Sequence, residues 1–359
     1  MSDLYFTPGP TALYYTVEEH IKKAIKTGVT STSHRGQGFK DIYKACSANL
    51  KELMDIPDNF HVLITSSANE AWERLILNCV EHNSYHVCNG AFSGRFAKIA
   101  KDLGREATRL TIADGHVPSI DEIQPSENDE LISICLNESA TGAATPFSLI
   151  EAIREKYPNK LIAVDGVSAV PVYPVNFSKI DSLYFSVQKA FGLPAGLGIW
   201  IVNDKCVAKA KAMSANGLLL GSYHQLPEMV EKAAEYQTTE TPNILGVYTL
   251  AKVAEDMLTK GIVAIRREID YKSTLLNMAI ASHPQLSHFV QEEKYRSKTV
   301  KVADTDFDSK KLVDYLAKKH IMVGTGYGPY KAQQVRIANF PTHSKEQVEM
   351  LVDLIADYK

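Results

Sequence analysis

Short apolar runs rich in β-branched residues alternate with segments of helical period through most of the chain, and this alternation limits the folds open to it. Seven runs have the length and composition of buried strands: Phe60–Thr65, Tyr85–Cys88, Thr108–Ile112, Leu131–Leu136, Leu161–Asp165, Ser182–Ser186 and Gly198–Val202. Between them, segments such as Glu70–Val80 place apolar side chains on one face at helical spacing. Strands separated by helices form a mostly parallel sheet covered by helices. The sequence therefore predicts an α/β fold with one seven-stranded sheet.

The pattern changes near residue 250, where long helical segments replace the alternation. The later elements are predicted helices and one strand, at Asn243–Lys260, Ile262–Ala281, Lys298–Ala303, Ser309–His320 and Ser344–Tyr358. A chain of 359 residues has room for two domains of roughly 100–200 residues each. We predict an N-terminal segment at 1–16, a large domain at 17–250 and a smaller C-terminal α+β domain at 251–359.

Composition excludes several classes of function. The chain has 39 basic and 42 acidic residues, so it lacks the basic surface that nucleic acid or an anionic membrane requires. Its five cysteines are scattered without a CxxC pair, which argues against a disulfide framework and a structural zinc site. The N-terminus does not resemble a secretory signal, and the longest segment free of charged residues contains proline and histidine. We expect a cytoplasmic protein with neither nucleic acid nor membrane as a partner.

Two residues at predicted strand ends have the properties of a catalytic pair. Lys189 lies in the Gly- and Pro-rich loop between the last two predicted strands, among apolar neighbours that lower the pKa of an amine, as an imine-forming nucleophile requires. Asp165 ends the apolar run that begins at Leu161. A carboxylate buried there is costly unless it meets a cation, such as a protonated pyridine nitrogen. The alternatives are a surface loop lysine and a turn or helix-cap aspartate.

Two further features complete a possible cofactor site. Ser67, Ala68 and Asn69 lie where a strand enters a helix, and the backbone N–H groups of a helix N-terminus bind phosphate without a basic side chain. Phe92 follows the next strand and could lie flat on a heteroaromatic ring, although a lone aromatic is more often core. Open α/β sheets bind ligands at the carboxyl ends of their strands. Lysine, carboxylate, phosphate cradle and stacking ring together match the needs of pyridoxal 5′-phosphate.

At these residues, and over nearly the whole chain, the sequence resembles the fold-type I, class V aminotransferases. The motifs that carry the resemblance follow in order: Phe6-Thr7-Pro8-Gly9-Pro10-Thr11, Ser33-His34-Arg35-Gly36 with Phe39, Asn137 to Gly142, Asp165 to Ser168, Gln188-Lys189, Thr241-Pro242 and Val335 to Ala338. The segment with His34 is similar to the SHRxxxF motif of phosphoserine aminotransferases. Motifs in this order are far more specific than any one of them.

The resemblance implies a role for each matching residue. Lys189 would hold the cofactor as an imine and act as the base, in a ping-pong transfer between an amino acid and a 2-oxo acid, while Asp165 keeps the pyridine nitrogen protonated. Gln188 and Ser139 would hydrogen-bond the cofactor, and Thr241 would reach its phosphate from the second subunit of a homodimer. Arg336 would bind the substrate α-carboxylate. His34 and Arg35 would meet its distal anion, and for them a loop ion pair is the alternative.

The resemblance leaves the substrate open between two branches. The SHRxxxF motif favours O-phosphoserine with 2-oxoglutarate, in serine biosynthesis. The GLPAG loop after Lys189, and Tyr330-Lys331 where phosphoserine enzymes commonly have an HR pair, favour alanine or serine with glyoxylate or pyruvate. Glutamine rather than histidine at 188, and the absence of cysteine after Cys206, argue against a desulfurase. A non-catalytic binding protein would not need both Lys189 and Asp165.

Overall fold

The computed structural model describes residues 3–359. Among them, the α-helices are α1 Val17–Lys26, α2 Gln37–Met54, α3 Ala68–Cys79, α4 Ala91–Asp102, α5 Phe147–Lys156, α6 Asp204–Ala215, α7 Leu226–Ala234, α8 Ile244–Lys260, α9 Ile262–Ser282, α10 Lys310–Ala317 and α11 Lys345–Asp357. The strands are β1 Leu4–Phe6, β2 Phe60–Thr65, β3 Asn83–Cys88, β4 Glu106–Thr111, β5 Asp129–Cys135, β6 Asn137–Glu138, β7 Ala143–Ala144, β8 Leu161–Asp165, β9 Ser182–Ser186, β10 Gly198–Asn203, β11 Leu286–His288, β12 Val300–Thr305, β13 Ile321–Thr325 and β14 Gln334–Ala338. None of these helices is long and apolar enough to cross a membrane.

The large sheet contains all seven strands that the sequence predicts, in the order β2-β10-β9-β8-β5-β3-β4. Only β10 runs antiparallel to its neighbours, and the others are parallel. The prediction of an α/β fold with a mostly parallel seven-stranded sheet is therefore confirmed. Since the parallel strands point the same way, β2, β3, β5, β8 and β9 all end at one edge of the sheet.

The central strands of this sheet are buried on both faces, to which successive side chains point in turn, whereas the edge strand β4 is largely exposed. On one face, Tyr184 and Trp200 pack in a cluster with α3 and α6. On the other, the adjacent residues of the same strands, Phe185 and Ile199, pack in a second cluster with α2 and α8. Helix α3 therefore lies against the sheet with its N-terminus at the edge where β2 ends.

A second sheet, in the order β1-β13-β14-β12-β11, forms most of the C-terminal region. Its edge strand β1 comes from the N-terminus and pairs in parallel with β13. Helix α8 runs unbroken through residue 250 and packs on α2, and α1 packs on α8. The domain limits at 16 and 250 thus remain a prediction from the sequence.

Candidate active site

A cavity of about 200 Å³ opens at the edge where the parallel strands of the large sheet end. It is lined by Gly9, Ala68, Asn69, Trp72, Phe92, Cys135, Asn137, Ser139, Asp165, Val167, Ser168, Ser186, Gln188 and Lys189. All but Trp72, Cys135 and Ser186 have candidate roles or motif positions predicted from the sequence, and they come from separate segments that only the parallel sheet brings together.

Lys189 follows β9 and is 8% exposed. Its Nζ donates a hydrogen bond to the carbonyl of Pro8, in the segment that follows β1. Burial lowers the pKa of Lys189 to about 8, helped by the nearby positive charge of Arg336 and opposed by Asp165. An amine with this pKa is partly neutral near physiological pH, as a nucleophile or general base requires.

Gly9 is required for that position of the lysine, and the sequence analysis assigns it no role. A Cβ at Gly9 would overlap the end of the Lys189 side chain. Gly9 also has φ +144°, a conformation that residues with a side chain rarely adopt. Its place in the Thr7-Pro8-Gly9-Pro10 motif is the signal that could have revealed it.

Asp165 ends β8 and is 6% exposed. Its Oδ1 accepts a hydrogen bond from the backbone N–H of Val167 at 2.9 Å. Burial nevertheless raises the pKa of Asp165 to about 7, because the Val167 bond and the charge of Lys189 only partly offset the loss of water. A cationic group in the cavity would return this carboxyl to its ionised form.

Glu138 is a fully buried carboxyl next to the cavity, and the sequence analysis gives it no role. Its Oε2 accepts from the backbone N–H groups of Phe92 and Ser93 at 3.1 and 3.0 Å, and its Oε1 accepts from Ala140. Burial raises the pKa of Glu138 in spite of these bonds. Glu138 therefore ties the loop after β5 to the first turn of α4, which carries Phe92. An acidic residue two positions after the apolar run that ends at Leu136 is the signal for it.

The N-terminus of α3 reaches the cavity through Ala68 and Asn69, while Ser67 is the N-cap residue. Ser67 Oγ accepts from the backbone N–H of Glu70 at 3.3 Å. The N–H of Ala68 donates to Ser186 Oγ at 2.8 Å, which joins this turn to the end of β9. The helix thus presents its first turn to the cavity, as expected for an anion site.

Three buried polar atoms of the cavity lining have no hydrogen-bond partner among residues 3–359. They are Gln188 Oε1, Asn137 Oδ1 and Trp72 Nε1. Unsatisfied buried polar atoms are rare in folded proteins, and at a cavity they indicate groups available to a ligand. The Trp72 ring also stacks on Phe96, on the buried face of α3.

Arg336 lies on β14 beside the cavity. Its Nη1 donates to the Ser139 carbonyl at 3.2 Å and its Nε to the Thr325 carbonyl at 2.8 Å. The guanidinium carbon is 5.3 Å from the centre of the Tyr327 ring. Burial lowers the pKa of Arg336, although a guanidinium stays charged at any physiological pH.

His34, Arg35 and Thr241 do not line the cavity of their own chain. Arg35 lies in the turn before α2, where Nη1 donates to the Thr238 carbonyl at 2.7 Å and to Gln237 Oε1 at 3.1 Å. It therefore bonds backbone and amide oxygens instead of the loop acids named as the alternative. Thr241 lines a separate depression of about 380 Å³ beside the N-terminus of α3.

The sequence profile of the family described as Aminotransferase class-V matches residues 5–335, which is nearly the whole chain. The chain belongs to the class-V aminotransferase family. The buried lysine and carboxyl of one cavity, at the strand-end edge of a mostly parallel sheet, agree with membership of a family of transaminases.

Proteins of known sequence or structure resemble this chain along nearly its full length. A phosphoserine aminotransferase of Rhodococcus opacus is 28% identical over 349 residues, which cover 94% of this chain and 91% of that one. The crystal structure of a phosphoserine aminotransferase from Cytophaga hutchinsonii has a TM-score of 0.97 and 43% identity, covering 99% and 98% of the two chains. An aspartate aminotransferase of Thermus thermophilus has a TM-score of 0.86 at 21% identity, covering 98% and 97%, and shows the shared fold alone.

Proposed function

We propose that this class-V aminotransferase transfers an amino group between O-phosphoserine and 2-oxoglutarate, with pyridoxal 5′-phosphate as cofactor, in serine biosynthesis. The observation that supports it most is the placement of Lys189 and Asp165 in one buried cavity, with pKa values of about 8 and about 7. The preference for O-phosphoserine rests on the Cytophaga hutchinsonii enzyme, which is 43% identical over 99% of this chain.

The cavity lining fits pyridoxal 5′-phosphate. The first turn of α3, at Ala68 and Asn69, would hold its phosphate, with Ser67 as the cap of that helix. The unsatisfied oxygen of Gln188 and the side chain of Ser139 would hydrogen-bond the cofactor, and Phe92 would contact its ring. When bound, the cofactor supplies a carbonyl carbon that combines with amines and a ring that accepts the electrons of the Cα–H bond.

Asp165 and Lys189 would move or hold the protons. Asp165 is buried away from solvent, so its ionised form requires a positive partner, and the two charges would stabilise each other. Lys189 would take the proton from the substrate Cα and return it, since its lowered pKa leaves the amine free to accept a proton near neutral pH. Gly9 and the Pro8 carbonyl hold the Lys189 amine in the cavity.

Arg336 would bind the α-carboxylate of the amino acid. A guanidinium forms two parallel charge-assisted bonds to a carboxylate, a geometry that lysine cannot copy. The branch that uses alanine or serine with glyoxylate or pyruvate is not favoured. Its structural representatives, such as the alanine–glyoxylate aminotransferase of a Nostoc species, share only 20% identity with this chain and show the fold alone.

The positions of His34, Arg35 and Thr241 support a homodimer with shared sites. Arg35 bonds the carbonyl of Thr238, three residues before Thr241, so these residues belong to one surface unit of the chain. That unit lies outside the cavity of its own chain. We therefore infer that it serves the cavity of a second copy, where Thr241 meets the cofactor phosphate and His34 and Arg35 meet the distal anion of the substrate.

Tagged heterodimers test this sharing. A heterodimer of one Lys189→Ala chain and one Arg35→Gln chain regains one intact site of two, and about half of the wild-type activity, if Arg35 acts on its neighbour. It regains none if Arg35 acts within its own chain. A control heterodimer of Lys189→Ala with Asp165→Asn, two residues of one cavity, stays inactive in either case.

The cofactor and the substrate are tested in one preparation. We expect added pyridoxal 5′-phosphate to form a borohydride-reducible adduct that mass spectrometry locates at Lys189, and a Lys189→Ala chain to form none. Loss of the visible absorption band of the wild-type adduct on addition of O-phosphoserine or glutamate, but not of alanine or serine, would support the proposed substrates. Bleaching by alanine or serine alone would contradict them. We also expect the enzyme in the cytoplasm, where serine biosynthesis would take place.

A further inference from the structure

One carbonyl closes the base of the N-terminal loop, residues 5–12, which begins in β1. The Tyr5 carbonyl accepts hydrogen bonds from the backbone N–H of Ala12 at 3.1 Å and from Thr11 Oγ1 at 3.2 Å, at the other end of the loop. Between these ends lies the Pro8 carbonyl, which accepts from the buried lysine of the cavity. The position of that carbonyl therefore depends on how the base of the N-terminal loop is fixed.

A third donor to the Tyr5 carbonyl comes from the C-terminal region. His343 Nε2 lies 2.9 Å from the Tyr5 oxygen, and the imidazole stacks on Phe6 with the ring centres 4.3 Å apart. The backbone N–H of Phe340 donates to His343 Nδ1 at 3.2 Å, so the ring proton is on Nε2 and points at Tyr5. Burial lowers the pKa of His343 to about 3, which keeps the ring neutral in this tautomer.

The N-terminal loop is clamped between two fixed segments. On one side, the turn that carries His343 is anchored from α9, where the buried Lys272 donates to the carbonyls of Phe340 and His343 at 3.1 and 2.6 Å. On the other side, the backbone N–H of Thr11 donates to the Gln188 carbonyl at 3.2 Å, in the loop after β9. The loop thus connects a turn of the C-terminal region with the strand-end edge of the large sheet.

We infer that His343 is a positioning residue for Lys189. Its Nε2–H fixes the base of the N-terminal loop through the Tyr5 carbonyl, and the loop then holds the Pro8 carbonyl against the lysine amine. His343 contacts neither substrate nor cofactor, and its effect passes through the loop. This inference rests on the proposed function, because it concerns the amine that would form the imine.

The first test is the reactivity of the Lys189 amine in the full-length protein before cofactor is added. Trace labelling with acetic anhydride over a range of pH, read by mass spectrometry at Lys189, should give a midpoint near pH 8 in wild type. In His343→Leu the loosened loop admits water, and since burial is the main cause of the lowered pKa, the midpoint should rise by about one unit. Arg336, Asp165 and Glu138, the charged groups that act on Lys189, are unchanged in this variant.

The second readout is the amount of pyridoxal 5′-phosphate needed to form the borohydride-reducible adduct. The concentration for half-maximal adduct should rise roughly 10-fold in His343→Leu, because a buried hydrogen bond that holds the amine in place is lost. His343→Gln keeps an N–H donor at the position of Nε2. It should therefore restore most of both the labelling midpoint and the cofactor requirement.

His283 provides the matched control. It is 6% exposed in the same region, its Nδ1 accepts from the Gln285 N–H at 3.2 Å, and its Nε2 lies 3.0 Å from the Tyr358 carbonyl oxygen. His283→Leu removes the same two kinds of bond without touching the N-terminal loop. We expect it to lower the thermal midpoint and to leave the Lys189 labelling and the cofactor requirement as in wild type.

Thr11→Val keeps the test decisive if His343→Leu does not fold. It removes the other side-chain donor to the Tyr5 carbonyl and should shift the Lys189 midpoint in the same direction by a smaller amount. An unchanged midpoint in His343→Leu, or in Thr11→Val where His343→Leu does not fold, would overturn the inference, as would an equal change in His283→Leu. A wild-type adduct on another lysine would instead refute the proposed function, so the two failures are distinct.

Discussion

Replacing His224 by glutamine tests how the segment that carries Thr241 is held against the N-terminus of α3. The imidazole bridges two carboxylates, with Nδ1 2.5 Å from Glu70 Oε1 and Nε2 3.1 Å from Glu240 Oε2. Glu70 belongs to the first turn of α3, where it also accepts from Ser66, and Glu240 directly precedes Thr241. The side chains of His224, Glu70 and Glu240 are 8%, 16% and 25% exposed, so solvent screens this triad only weakly.

The magnitude follows from the pKa of His224. The hydrogen bonds and charges of Glu240 and Glu70 outweigh burial and raise it from 6.5 to about 9, which corresponds to about 3 kcal/mol of stabilisation of the protonated form. Because the folded pKa is raised, this contribution is complete below about pH 6.5 and is lost as the pH rises through about 9. Burial alone would raise the pKa of Glu70, but the hydrogen bonds from His224 and Ser66 outweigh it and lower the pKa to about 2. Because the folded pKa is lowered, the contribution of Glu70 to stability is lost only as the pH falls below about 4.5.

The assay is an NMR titration of protein with 13Cε1-labelled histidine, in which His224→Gln identifies the resonance. We expect His224 to titrate near pH 9 in wild type and at a clearly lower pH in Glu240→Gln. The thermal midpoint of wild type should also fall more between pH 6 and pH 9.5 than that of His224→Gln. A His224 resonance that titrates near pH 6.5, or one that Glu240→Gln leaves unchanged, would refute the reasoning.

Two further predictions concern buried amines. In Gly9→Ala, the added methyl group would displace the end of the Lys189 side chain, and the alanine would have to adopt the strained φ of +144° that Gly9 has. The yield of the reducible lysine–cofactor adduct should therefore fall at least roughly 10-fold. A full yield would contradict this geometry. Lys301 is buried, and its Nζ donates hydrogen bonds to Ser273 Oγ and to the Ser297 carbonyl. Burial lowers the pKa of Lys301 to about 7. Between pH 7 and about 10, the unfolded chain then binds more protons than the folded one, so the free energy of unfolding should rise with pH. We expect this rise to be steeper in wild type than in Lys301→Met, by up to about 1.4 kcal/mol per pH unit. Equal slopes of the two proteins, measured by denaturant titration, would contradict the assignment.

The large sheet was predictable because most of its strands are covered on both faces. Burial on both faces requires continuous apolar runs, and Phe60–Thr65, Leu161–Asp165 and Ser182–Ser186 appear in the structure with the predicted limits. The edge strand Leu4–Phe6 has no such pattern. It is three residues long and pairs with Ile321–Val323 at the other end of the chain, a partner that local sequence does not specify.

Within the candidate site, the residues at strand ends were the predictable ones. Lys189 and Asp165 follow strands whose direction the alternation of elements already implies, so both were expected at one edge of the sheet. Glu138 accepts hydrogen bonds from backbone N–H groups in the first turn of α4, and the backbone of Gly9 lies against the Lys189 side chain. Such contacts depend on the positions of atoms that are distant in sequence.

The sequence alone therefore determined the fold class, the edge of the sheet that carries the site and the pair of groups suited to imine chemistry, because strand burial and strand direction are properties of local pattern. Only the tertiary structure decided where the cations lie relative to the cavity. It places Arg336 beside the cavity, bonded to the Ser139 carbonyl, and turns Arg35 toward Thr238. The same holds for the pKa values of Lys189 and Asp165, since burial and neighbouring charge arise from packing between distant segments.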